Sequence, residues 1–111
     1  MGKGRGDMSH LLREAQKQAQ SMQKQVAQIE EDLKERVVDG SAGGGMVQAY
    51  ANGQCELVGL KISPEVVDPE DVEMLEDLVT AAVAQAIKKA SEMRQTEMNK
   101  ATGGLAMPGL F

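Results

Sequence analysis

The chain reads as an α+β protein in the order helix, strand, strand, strand, helix: one three-stranded antiparallel sheet carrying two long helices. Three observations predict this. From Met8 to Leu33, apolar residues recur at alternating four- and three-residue steps without a break, which is the pattern of a long amphipathic helix. Asn52-Gly53 stands between two segments whose apolar residues alternate, the strongest short-range hairpin signal. Asp68-Pro69-Glu70-Asp71 then opens a second long run with an apolar face, combining a capping acid, a proline and further acids as a helix start requires.

Residues 1–7 are Gly-rich and charged and are expected as a disordered tail ahead of a single domain over residues 8–104. In the first helix Leu12, Ala19, Val26 and Leu33 occupy a positions and Met8, Ala15, Met22 and Ile29 occupy d positions. Ser9 and Asp7 are the two available N-caps, and the helix runs to about Glu35 or Arg36. At 1.5 Å per residue the seam is roughly 39 Å long, more than a small domain needs to cover its own core. It asks for another helix, in this chain or in a second copy.

Val37-Val38 begin a short strand, and Asp39 to Gly45 form a Gly-rich connection. This segment lacks the Gly-Lys-Ser/Thr ending of a nucleotide-binding loop and no helix follows it, so it is read as a hairpin link, not a phosphate cradle. Met46–Ala51 and Gln54–Ile62 flank Asn52-Gly53. A two-residue type I′ turn there pairs Ala49 with Glu56 and Val47 with Val58. Val47, Ala49, Val58, Leu60 and Ile62 then share a core face, with Gln48, Tyr50, Cys55, Leu57 and Lys61 opposite. On that second face, Tyr50 and Leu57 either meet a partner subunit or stand exposed. With Asp68 as N-cap and Pro69 in the first turn, the second helix runs to about Lys100. Val72, Leu75, Val79, Ala82, Ala86, Ala90 and Met93 form its apolar face, and Thr102-Gly103-Gly104 end it. Residues 105–111 make an apolar C-terminal tail that either folds back on a core or lies disordered.

Composition narrows the function classes. One Tyr, one Phe and no Trp leave a thin core, and oligomerisation is the usual remedy. The lone Cys55 excludes an internal disulfide and suits a reducing compartment. No run approaches the ~18 apolar residues of a membrane span, so the chain is read as soluble and cytoplasmic, with no membrane partner. His10 is the only histidine, no metal-ligand spacing occurs, and the acids crowd into helix starts and ends. No catalytic residues, metal, cofactor or small-molecule substrate is therefore expected.

The net charge of −5 is unevenly spread. Residues 1–28 carry five Lys/Arg against two Asp/Glu, residues 29–78 carry three against thirteen, and residues 79–111 carry four against two. On the first helix Arg13, Lys17, Gln20 and Lys24 make a b/f stripe away from the seam. A charge stripe is most often a solvated face. Here, however, the bases come first along the helix and Glu30, Glu31, Asp32 and Glu35 come last, which opposes the helix dipole by a few tenths of a kcal/mol per group. An order that costs local stability points to a polyanionic partner. The two helices join the sheet so that both basic ends, including Lys88, Lys89, Arg94 and Lys100 on the second, lie away from the acidic body.

The segments Val38 to Val47, Asn52-Gly53, Ile62 to Leu78 and Thr102-Gly103-Gly104-Leu105 together resemble the YbaB/EbfC family of small bacterial nucleoid-associated proteins. The resemblance spans nearly the whole chain beyond residue 7. It implies an α-β-β-β-α fold, a tweezer-like homodimer, and DNA binding with loose sequence preference in nucleoid organisation or gene expression. Carried over to this sequence, it places DNA contacts on Arg13, Lys17 and Lys24 of the first helix and on Lys88, Lys89, Arg94 and Lys100 of the second. The competing reading is a protein-interaction adaptor that captures a helical protein on the seam and a basic partner on the acidic body.

Overall fold

The computed structural model describes residues 2–102. Its elements are α1 (Gly2–Glu35), β1 (Val37–Ala42), β2 (Val47–Asn52), β3 (Leu57–Ile62), a 3-10 turn (Pro64–Val66) and α2 (Val72–Thr102). The order is the predicted one, and the strands form a single antiparallel sheet, β1-β2-β3. One boundary that differs is the start of α1. α1 is continuous from Gly2, so Ser9 lies inside the helix and the secondary structure shows no break at residue 7. The Gly103-Gly104 stop and the 105–111 tail lie outside the described residues.

The core is built from small side chains. Val47, Ala49 and Ala51 of β2 and Ala82, Ala86 and Ala90 of α2 are fully buried against one another. Alanine every fourth residue gives α2 a slim ridge that lets its backbone approach the sheet. Gly40 receives that ridge: a Cβ there would sit 2.4 Å from both the Ala82 carbonyl oxygen and the Ala86 nitrogen. β1 continues through Asp39-Gly40-Ser41-Ala42, paired with Tyr50, Ala49, Gln48 and Val47 of β2, instead of stopping after Val38. The neighbouring Ser41 N–H donates to Gln85 Oε1 at 2.7 Å, tying the same strand to α2. The link between β1 and β2 shrinks to a turn in which Gly43, Gly44 and Gly45 all have positive φ, a conformation that favours glycine.

The Asn52-Gly53 turn is not the two-residue type predicted. Asn52 N–H donates to the Glu56 carbonyl at 3.0 Å, while Asn52 Oδ1 accepts from the N–H groups of Gln54 and Glu56. Cys55 takes the positive φ. The longer loop moves the register by four residues: Val47 faces Ile62 and Ala49 faces Leu60, with an irregularity at Tyr50/Ala51. The even shift leaves Leu60, Lys61 and Ile62 on their predicted faces, whereas at the irregularity Ala51 faces Leu57, a shift of three that sets Leu57 on the core side and not beside Tyr50 as predicted.

The reason for the longer loop lies in α1. Gly53 N–H donates to the carbonyls of Leu33 at 2.8 Å and Arg36 at 3.0 Å, and a Cβ on Gly53 would fall 2.6 Å from the Leu33 oxygen. The hairpin tip thus caps the C-terminus of α1 and buries Leu33, using backbone groups a helix end otherwise leaves unpaired.

Asp68 and Asp71 divide the roles assigned to one residue. Asp68 Oδ1 accepts from Glu70 N–H at 2.9 Å and closes a turn, and Asp71 Oδ1 accepts from Met74 N–H at 3.3 Å as the N-cap of α2. Proline at position 69 belongs to that turn, not to the helix.

Since α2 lies over β1 and β2, the inner face of β3 is uncovered. Val58, Leu60 and Ile62 are exposed, although Leu60 and Ile62 share a face with the buried Ala49 and Val47. The predicted core face is therefore complete on β2 and open on β3 within one chain.

Candidate nucleic-acid interface

The two helices leave the sheet together and run antiparallel, held by ion pairs. Arg94 pairs with Glu30, and Glu97 accepts from Arg36 at 3.2 Å and from Lys100 at 3.3 Å. Gln54 Nε2 also donates to the Glu30 carbonyl at 3.0 Å. The last part of α2 around Lys100 and Ala101 lies against Gln25, Gln28 and Ile29 of α1. Residues 8–21 of α1 are all exposed. The result is an elongated molecule measuring 84 × 26 × 17 Å, with a radius of gyration of 22.3 Å, against about 13 Å for a compact domain of roughly 100 residues.

The predicted cations fall into three settings. Arg13, Lys17 and Lys24 are exposed on the projecting part of α1, within about 17 Å along the helix axis. Their stripe lies on the opposite side from the seam. Lys88 and Lys89 are exposed too, but they flank the buried Ala86 and Ala90, so they sit over the sheet and not at the far end of an arm. Arg94 and Lys100 are on the arm, yet both already hold carboxylates of this chain. Sequence reasoning did not foresee these pairings, nor the one that Arg36 makes with Glu97. The signal was there in the antiparallel helix order, which sets Glu30 against the last turns of α2.

These pairs set a pH response. Hydrogen bonding to Arg94 holds the Glu30 carboxyl below its usual 4.5, and Arg36, then Lys100, do the same for Glu97. A carboxyl whose pKa is lowered on folding contributes above its unfolded value, and the contribution is lost as pH falls through the folded one. Below pH 4.5 the end of α2 is expected to loosen from α1 while the sheet persists. Hydrogen exchange along α2 across an acid series reads this as reduced protection around Arg94–Lys100 only.

Among the described residues no group of three His, Cys, Asp or Glu side chains is placed to hold a metal ion, and no helix is long and apolar enough to cross a membrane. The arm offers exposed cations, glutamines and an apolar seam, a set suited to binding a polyanion.

Comparison with known proteins points the same way. The YbaB/EbfC DNA-binding family profile matches residues 6–105. A nucleoid-associated protein of Caldanaerobacter subterraneus subsp. tengcongensis is 57% identical over 95 residues, covering 86% of each chain. One from Clostridium perfringens is 55% identical over 108 residues, covering 97% of this chain and 93% of its own. The crystal structure of an uncharacterized Helicobacter pylori protein, 29% identical, superposes with a TM-score of 0.73 over 80% of this chain and 94% of that one.

Proposed function

The chain belongs to the YbaB/EbfC DNA-binding family, and from that membership we propose that it works as a nucleoid-associated homodimer gripping the DNA backbone with the basic stripes of its projecting helices. The observation that carries this reading is the exposure of Arg13, Lys17 and Lys24 on an arm set apart from the acidic body. Cations there meet phosphate with the least opposition from the protein's own field. Lys88 and Lys89 extend the surface toward the sheet. Arg94 and Lys100 must exchange Glu30 and Glu97 for phosphate, so each contributes less than a free cation. The role in the cell is organisation of the nucleoid, with an effect on gene expression through occupancy of DNA.

The homodimer is supported by the uncovered strand. Leu57, Val58, Leu60 and Ile62 put an apolar, unpaired edge on β3, and a second copy set against it would complete the half-open core and remove the edge. Two chains joined there would carry their arms outward as a pair of tweezers.

The test is DNA affinity measured over a salt series, with light scattering on the same samples. Expected are a two-chain mass and a steep linear fall of log affinity with log salt, about 0.9 per phosphate neutralised. A flat plot, or no binding at about 50 mM salt, would remove the DNA reading; a one-chain mass would remove the dimer.

A further inference from the structure

The seam of α1 is spent on this chain only at its C-terminal end. Leu33 is buried beneath Gly53 and Ile29 faces the end of α2. Toward the N-terminus the seam residues Met8 and Leu12 keep 68% and 64% of their surface, and Leu11 beside them 66%. Ala19, Met22 and Val26 line a shallow apolar groove of about 420 Å³. A helix of this length gains little stability in water without a packed face, so the free part of the seam needs a cover.

We propose that the cover is the same segment of a second copy, running antiparallel. Antiparallel coiled coils set a positions against d positions. In one register this seam does so across its whole free length: Met8 meets Val26, Leu12 meets Met22, and Ala15 meets Ala19, each contact occurring twice about a two-fold axis. Small residues fall at the centre, where the helices cross closest, and larger ones toward both ends. The register one heptad further along would call on Ile29 and Leu33, which are already packed within the chain. Flanking the seam are Gln16, Gln18, Gln23 and Gln25, so no like charges meet across the pair. The Arg13, Lys17 and Lys24 stripe points away and stays free for phosphate. The overlap is only about 27 Å long and buries less than the roughly 1,200 Å² of a stable interface. The contact is therefore weak in dilute solution and forms when molecules are concentrated side by side on DNA, joining them into cooperative assemblies. In this last respect it rests on the DNA-binding reading.

Disulfide trapping decides it. In a Cys55→Ser background, Leu12→Cys and Met22→Cys chains are mixed in equal amounts and oxidised on DNA. The expected product is the mixed 12–22 disulfide. Homotypic 12–12 and 22–22 products would show a parallel pair and overturn the proposal. So would the absence of any inter-chain product while mobility shift shows the DNA occupied. A chain carrying both Met22→Cys and Leu110→Cys that closed a disulfide on itself would also overturn it, by assigning the seam to the chain's own C-terminus. The same 12/22 mixture oxidised at ~1 mM protein without DNA still gives the 12–22 product if the DNA reading fails but the pairing holds. As a second readout, Leu12→Gln should bring the Hill coefficient of DNA binding to about one with single-site affinity unchanged; undiminished cooperativity would count against the pair.

Discussion

Replacing Gly40 by alanine is expected to lower stability by about 3 kcal/mol, the upper part of the range for overpacking a core, and to drop the melting temperature by about 15 °C for a domain of this size. The added methyl group would lie 2.4 Å from two backbone atoms of α2, the Ala82 oxygen and the Ala86 nitrogen. A side chain could rotate away; a helix backbone cannot, so α2 must lift from β1. That movement opens the packing of Ala82, Ala86 and Ala90 together, and among the described residues Leu33 and Val47 are the largest fully buried side chains, so little other core is left to compensate. Gly59→Ala is the control. A Cβ there meets Tyr50 Cδ2 at 3.4 Å, an ordinary contact, and the substitution also reduces the freedom of the unfolded chain. Its melting temperature should stay within a few degrees of the parent. Equal destabilisation by the two variants would mean that α2 does not depend on the notch at Gly40.

Gly40 also shows where sequence reasoning stops. A glycine between Asp39 and Ser41 looks like loop, because what requires it is a helix more than forty positions away. The Asn52-Gly53 pair is similar. Its local preference for a tight turn is real, but the hydrogen bonds from Gly53 to Leu33 and Arg36 outweigh it. Local patterns read well wherever the partner was also local. The alternation over Leu60–Ile62 survived a four-residue register change because the change was even there, while the irregularity beside Ala51 turned Leu57 to the other face; the Ala-rich face of α2 was visible from its spacing alone. Coverage was not legible: nothing in the sequence around Val58, Leu60 or Ile62 distinguishes a residue under a helix from one left exposed.

The binding surface divides along the same line. That cations cluster at both ends of the chain is a fact of sequence, and so is the stripe on α1. Which of them are free is a fact of packing, and it separates Arg13, Lys17 and Lys24 from Arg94 and Lys100. Changing Arg13, Lys17 and Lys24 together to glutamine should therefore have the largest effect on DNA binding of any three-residue neutralisation among the predicted cations. The slope of log affinity against log salt should become shallower by about 0.9 for each phosphate that is no longer neutralised, nearly 3 for one arm. Affinity at ~0.1 M salt should fall at least about tenfold. Glutamine keeps helix propensity close to that of lysine and arginine, and all three side chains are exposed, so circular dichroism and the melting temperature should not move. The informative contrast is Arg94→Gln with Lys100→Gln. Those two cations begin in ion pairs with Glu30 and Glu97, so a phosphate bound there replaces an existing partner and the salt slope should change less per charge removed. If the two sets lowered the slope equally per charge, the pairs Arg94–Glu30 and Lys100–Glu97 would not compete with DNA, and the free stripe would lose its claim to be the principal surface.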